Sequence, residues 1–413
     1  MMDGTVTTPY DVDRLRADFP ILSLEVEGGP LVYLDNAASA QKPRAVVDRM
    51  TQAIYAEYAN VHRGSHTLAN RATDGFERAR DSVRAFLNAE SAEEIVFTKS
   101  ATEAINLVAH AFGEAIVQPG DEIVLSVMEH HANIIPWHFL RERHGAVLKW
   151  VDVDEEGGLA LDAVERALTP RTRLVAITHM SNVLGTVTPL RDIVRLAHGR
   201  GIPVLADGTQ GAVHLGADVR DLDVDFYVLT GHKLYGPTGI GALYGKAAWL
   251  RRLPPVLGGG EMVRQVTRDT VTYAEPPHRF EAGTPPIVEA IGLGAALDYL
   301  RGVGPAAIAA HEAGLLAYAQ ERLAAIPSLR LIGTAAGKGP ILAFTLGGAH
   351  PLDVATILDG FGVAVRAGTH CAQPLLARFG VTATCRASFA LYNTPAEVDR
   401  LADALLAARD MLG

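Results

Sequence analysis

Short apolar runs, each followed within a few residues by a chemically capable side chain, alternate with helical patterns along the middle of this chain. Such alternation leaves few folds open: an α/β architecture, with mainly parallel strands in a sheet covered by helices. Five runs carry the reading: EIVF (Glu94 to Phe97), EIVLSV (Glu122 to Val127), LVAIT (Leu174 to Thr178), PVLAD (Pro203 to Asp207) and FYVLT (Phe226 to Thr230). They are short, rich in β-branched residues and bounded by polar or glycine-containing segments, as buried strands are. At or just beyond their ends stand Thr102, His130, Asn182, Asp207 with Gln210, and His232 with Lys233. Ligands of open α/β sheets sit outside the carboxyl ends of the strands, so the spacing predicts that these groups converge on one crevice.

A chain of 413 residues exceeds what a single core usually organises. From about Ala306 the pattern changes to a helix, a strand around Ile341 to Thr345, a helix around Leu352 to Asp359 and a strand around Val363 to Arg366. This predicts a second, smaller α+β domain. The expected division is 25–300 for the large domain, with 1–24 and 301–413 forming the small one, the helix expected at Val12 to Asp18 packing there. Pro254 to Gly260 and Glu275 to Pro286 read as loops.

The formal net charge of −10, with no cluster of Lys and Arg, argues against a nucleic-acid partner, whose phosphates demand neutralisation. The start, MMDGTVTTPYDVDRL, lacks the marks of a signal peptide, and no run approaches the roughly 20 apolar residues that span a bilayer, so a cytoplasmic location without membrane attachment is expected. Cys371 and Cys385 are the only cysteines, too few for a disulfide framework and without zinc-ligand spacing; no metal is expected.

In FYVLTGHKLYGPTGIG a strand runs through Thr230 into Gly231, His232 and Lys233. A lysine at such a place either snorkels to solvent or, if buried and deprotonated, forms a Schiff base with an aldehyde. Asp207 favours the second course, because it ends another strand and offers the carboxylate that the pyridinium nitrogen of pyridoxal 5′-phosphate (PLP) requires. Gln210 could donate to the phenolic oxygen of that cofactor. Ser100 and Glu103, in SATEAINLVAHAF, fit a capping box, and the helix start beside Thr102 could cradle phosphate. In MEHHANIIPWH, His130 could lie on the cofactor face and act as an acid or base.

A second constellation is built on sulfur. In VAVRAGTHCAQPLL a strand ends at Arg366 and Cys371 follows on a loop, where His370 and Arg366 could favour a thiolate. The other reading is a half-buried cysteine without chemical role. Cys385, in TCRASFAL, reads as structural, and Arg386 could clamp a carboxylate with its two-pronged guanidinium.

With these residues in place, the chain resembles the SufS-type (group II) cysteine desulfurases of the class V aminotransferase family. The resemblance runs through YLDNAASAQKP, NVHRGSHTL, TKSATEAINLV, MEHHANIIPW, SNVLGT, ADGTQGAVH, TGHKLYGPTGIG, GGGEM, RFEAGTP, RAGTHCAQP and CRASFALYNT. It implies the PLP-dependent transferase fold of type I, aspartate aminotransferase-like. It also implies desulfuration of L-cysteine to L-alanine, with a persulfide on Cys371. Lys233 would be the Schiff-base lysine, Asp207 and Gln210 the partners of the ring nitrogen and phenolate, and His130 the stacking residue. Thr102, Thr230 and His232 would bind the phosphate, with Thr284 reaching over from the second subunit of a homodimer. Asn182 and Arg386 would hold the substrate, with Arg366 beside them and Arg63 near the entrance. The R-x-G-x-H-C-x-x-P pattern implies delivery of sulfur to an acceptor of the SufE or SufU kind, for iron–sulfur cluster assembly or other biosynthesis. The sequence departs from the family pattern at Ser39, Ala40 and Thr369, none of them a catalytic group.

Three other readings stay open at this point. A selenocysteine lyase acting on L-selenocysteine shares fold and cofactor but need not depend on Cys371. An aminotransferase or racemase on this scaffold has no use for an exposed cysteine, and an idle sulfur-carrier scaffold has none for Lys233, Asp207 and Arg386.

Overall fold

The computed structural model describes residues 10–412; most of the segment read above for a signal peptide lies outside them. After a short helix, α1 (Val12–Ala17), and the long α2 (Thr67–Leu87), the chain lays down seven strands. They are β1 (Ile95–Thr98), β2 (Glu122–Ser126), β3 (Val147–Val151), β4 (Thr172–Thr178), β5 (Val204–Asp207), β6 (Phe226–Thr230) and β7 (Gly241–Gly245). They form one sheet in the order β1-β7-β6-β5-β4-β2-β3. The pairs from β6 to β3 are parallel, and β7 alone runs antiparallel to its neighbours β1 and β6.

Alternation along the strands sends successive side chains to opposite faces. Val124, Val175, Ile177, Val204 and Leu229 enter one core, while Ile123, Leu125, Leu174, Leu205 and Val228 enter the other. Both faces are therefore apolar, which is why these strands read as unbroken hydrophobic runs. On the first face α2 packs against α4 (Ile287–Val303); on the second lies α3 (Ala101–Ala115), opened by Ser100, whose Oγ accepts the Glu103 N–H at 3.2 Å. The expected capping box is only half formed: the Glu103 carboxylate accepts from the Lys99 N–H instead of from Ser100.

Two strands of the sheet were not expected. β3, VLKWV, is an edge strand carrying Lys149 and an exposed Trp150, so its apolar signature is diluted. β7, GALYG, begins in glycine because a Cβ on Gly241 would stand 2.8 Å from the Leu229 carbonyl oxygen and from the Ser100 backbone, and ends in glycine where a Cβ on Gly245 would meet the Leu250 side chain at 2.7 Å.

The C-terminal part carries α5 (Pro305–Ala324), α6 (Pro351–Asp359) and α7 (Pro395–Leu412). They cover an antiparallel sheet of β8 (Leu329–Ile332), β9 (Ile341–Leu346), β10 (Arg366–Gly368) and β11 (Thr384–Ser388), in the order β8-β9-β11-β10. The single strand expected at Val363 to Arg366 is two: Val363–Ala364 pairs in parallel with Val32–Tyr33, and only β10 joins the small sheet. Val365 is where the chain changes partner. The α1 region also reaches this part, through Arg16 to the Tyr392 carbonyl and Glu397, and through Tyr10 stacked on His311. The segment Pro254 to Gly260 is loop, and Glu275 to Pro286 is loop with one 3-10 turn at His278–Phe280. Between them an exposed hairpin pairs Val263–Val266 with Val271–Tyr273.

Candidate active site

A cavity of about 350 Å³ opens at the carboxyl ends of the parallel strands, within the range that holds small ligands. Its walls bring together Thr102 from the start of α3, His130 after β2, Asn182 after β4, Asp207 and Gln210 from the end of β5, and Thr230, His232 and Lys233 from the end of β6. The small sheet closes it with Arg366 and Arg386, and the loop after β10 with Cys371.

Lys233 borders the cavity yet is encircled by protein. Burial pulls its ammonium down to about 8, against the opposing pull of Asp207 and with help from the Arg386 charge. Asp207 is itself buried and fixed by the Thr209 N–H at 3.0 Å. Gln210 donates to the Ala37 carbonyl at 2.8 Å and retains a second amide N–H. His130 accepts the Ala132 N–H on Nδ1 at 3.0 Å, so the proton of the neutral ring sits on Nε2. Burial and then Lys233 depress it to about 4, keeping it neutral. His232 is held at about 4 by the same kind of burial.

The substrate side is organised by a carboxylate absent from the sequence reading of charges. In the small sheet Arg366 lies directly opposite Arg386, a like-charge pairing that costs stability. Asp35 resolves it by accepting from Arg366 at 2.9 Å and from Arg386 at 3.0 Å. Arg386 is 2% exposed, donates to the Asn182 carbonyl at 3.0 Å and keeps an unpartnered Nε. It is thus a buried cation with donor capacity to spare.

The loop bearing Cys371 is strained and pinned. His370 and Cys371 have φ of 50° and 55°, a left-handed conformation that costs a non-glycine residue about 1–2 kcal/mol. Their carbonyls are tied from two sides, that of His370 by the Asn182 amide at 2.8 Å and that of Cys371 by the His131 N–H at 2.7 Å. Cys371 is exposed, whereas Cys385 is buried. The expectation that His370 favours a thiolate is corrected: its ring turns inward to Thr384, and burial holds it down to about 3, so it carries no charge. The cations that feel the Cys371 sulfur are Lys233, Arg366 and Arg386.

Two expected residues stand outside the cavity. Arg63 is 57% exposed and pairs with Glu261. Thr284 is exposed beside a separate groove of about 480 Å³ lined by Leu257 and Phe280, whose wall includes Thr102. Among the described residues no group of His, Cys, Asp and Glu is arranged to hold a metal, and no helix is long and apolar enough to cross a membrane.

This arrangement fits PLP on its own geometry. A depressed lysine and a buried carboxylate face one cavity, and Thr230 Oγ1 is buried there without a partner, an unmet donor at the strand end where a phosphate would sit. The sequence profile of the aminotransferase class-V family matches residues 32–401. A cysteine desulfurase of Dickeya dadantii (strain 3937) is 52% identical over 405 residues, 98% of this chain and 98% of that protein. A probable cysteine desulfurase of Mycolicibacterium paratuberculosis (strain ATCC BAA-968 / K-10) is 52% identical over 94% of this chain, which spans 57% of that longer protein. The crystal structure of the cysteine desulfurase CsdA from Escherichia coli, in an S-sulfonic acid form, matches with a TM-score of 0.91 at 42% identity, covering 98% of this chain and 100% of that one.

The chain belongs to the aminotransferase class-V family, with the α/β fold of its PLP-dependent enzymes. Within that family it is a cysteine desulfurase.

Proposed function

We propose that the substrate is L-cysteine, that the product is L-alanine, and that Cys371 receives the sulfur as a persulfide. The observation that carries this reading is an exposed cysteine, on a loop pinned at both carbonyls, at the rim of a cavity built around Lys233, Asp207 and Arg386. Bound PLP supplies an electron sink that acidifies the substrate Cα–H and loosens its Cβ–S bond.

The protein's own groups do the rest. Arg386, with its free Nε, and Asn182 hold the substrate carboxylate. Lys233, its ammonium pulled down to about 8 by burial, takes the proton from Cα in its neutral form and returns one. Asp207 would keep the ring nitrogen of bound PLP protonated, while Thr102, Thr230 and His232 would hold its phosphate and Gln210 its phenolic oxygen. His130, with its proton on Nε2, would lie against the bound cofactor and move a proton at the departing sulfur. The Cys371 thiolate attacks the substrate sulfur: an S–S bond forms, the Cβ–S bond breaks, and its electron pair ends in a new C–H bond of alanine. The step is redox-neutral overall and needs no outside oxidant.

The persulfide then passes to an acceptor protein, for which the exposure of Cys371 leaves room. Thr284 belongs to the phosphate site of a second subunit: it is exposed on this one, and its groove shares Thr102 with the cavity.

The test is a single turnover with L-cysteine and no reductant, comparing the parent with Cys371→Ser. The expected result is alanine plus one extra sulfur on the Cys371 peptide in the parent, and neither in the variant. Alanine formation that survives the substitution would overturn the role of Cys371; no alanine from either would overturn the reaction.

A further inference from the structure

The turn between β2 and the 3-10 helix His131–Asn133 carries His130 on one side and touches the nucleophile loop on the other. Behind it lies Glu129, 0% exposed, a carboxyl that the reaction above does not use. A wholly buried carboxyl is costly unless its oxygens are satisfied. Here they are: Ser126 Oγ stands 2.5 Å from Oε1 and the Asn133 amide donates to Oε2 at 2.7 Å. Asn133 is fixed in turn by the Trp137 indole N–H at 3.0 Å, and Ser126 Oγ also accepts the Met128 N–H at 3.1 Å. One side chain thereby ties the end of β2 to the following helical turn in a single buried knot.

We propose that Glu129 is a positioning residue that sets two reactive groups at once: His130, its immediate neighbour, and Cys371, through the adjoining His131 N–H. The Ala132 N–H that fixes the His130 tautomer and the His131 N–H that holds the Cys371 carbonyl are both presented by the turn Glu129 braces. The left-handed backbone at Cys371 persists only while its surroundings enforce it. The link from Glu129 to the sulfur therefore runs chiefly through the His131 N–H to the Cys371 carbonyl at 2.7 Å, beside a longer bond of 3.5 Å from the Gln373 N–H to the His131 ring. The catalytic consequence rests on the reading of Cys371 as sulfur acceptor, whereas the structural coupling does not.

The test compares the holoenzyme with Glu129→Gln, Glu129→Ala and the milder Ser126→Ala, by hydrogen exchange over peptides covering 127–133 and 369–373 and by single-turnover alanine formation. Glu129→Gln, which keeps the shape and most of the bonds, is expected to stay within about twofold of the parent in both. Glu129→Ala and Ser126→Ala are expected to exchange at least about fivefold faster in both peptides, with alanine formation at least about tenfold slower and cofactor absorbance retained. If Glu129→Ala does not fold, Ser126→Ala decides. Faster exchange confined to 127–133 overturns the coupling to Cys371. Coupled exchange with unchanged alanine formation overturns the catalytic part alone. A parent that makes no alanine strikes at the proposed reaction and leaves the exchange result standing.

Discussion

At the scale of single residues, chemistry in this site is set by burial more than by formal charge. Lys233 is the clearest instance, since enclosure brings its ammonium to about 8 despite Asp207 nearby. An amine with that value is about one-tenth neutral at pH 7 and mostly neutral by pH 9. The rate at which apoprotein captures PLP, followed by the growth of cofactor absorbance, is therefore expected to rise about tenfold from pH 7 to pH 9 and then level off. A rate still climbing tenfold per unit beyond pH 9 would mean an unperturbed lysine. The sequence placed Lys233, Asp207 and Cys371 because each follows or ends a recognisable strand. It misjudged His370, since adjacency to Cys371 says nothing about which way the ring turns. The role of Asp35 has no mark in the sequence, because its partners Arg366 and Arg386 lie 331 and 351 residues away and only the fold brings them together.

At the scale of elements, legibility follows how apolar and how β-branched a strand's sequence is, not burial alone, since β7 is buried on both faces. The five expected strands lie inside the sheet or against its helices and read as apolar runs; β3 at the edge and glycine-bounded β7 did not. Gly241 shows why glycine was required. It lets β7 pass against the backbone of Ser100, where α3 starts and where Thr102 faces the cavity. A methyl group there would meet backbone atoms at 2.8 Å, and backbone cannot swing aside as a side chain can. Gly241→Ala is accordingly expected to cost about 1–3 kcal/mol of stability by overpacking. It should also weaken PLP binding about tenfold, measured by cofactor release on dilution. Unaltered retention would mean that the start of α3 tolerates displacement.

At the scale of the whole molecule, the cavity lies between two bodies of structure that the N-terminal segment stitches together. Val32–Tyr33 pairs with Val363–Ala364, and the Ser388 N–H donates to the Leu34 carbonyl at 2.7 Å. The expected boundary at residue 25 does not allow for this pairing, because register with a strand more than 300 residues away leaves no local mark. We propose that the smaller unit includes this pairing segment. The homodimer is a prediction of the same scale. Sedimentation should give twice the mass of one chain, and Thr284→Ala should loosen PLP while leaving that mass unchanged. A monomer that holds PLP as tightly as the parent would contradict it.

The contrast between the two cysteines carries one more consequence. Cys371 is open to solvent, while Cys385 sits inside β11 with its S–H directed to the Pro351 carbonyl. An oxidised thiol is usually rescued when a second thiol condenses with it, and within this chain no second thiol is available. Peroxide that reaches Cys371 therefore has a one-way course, from sulfenic to sulfinic and sulfonic acid, unless an outside thiol intervenes first. The openness that suits Cys371 to hand sulfur onward also makes reducing surroundings a condition of its survival.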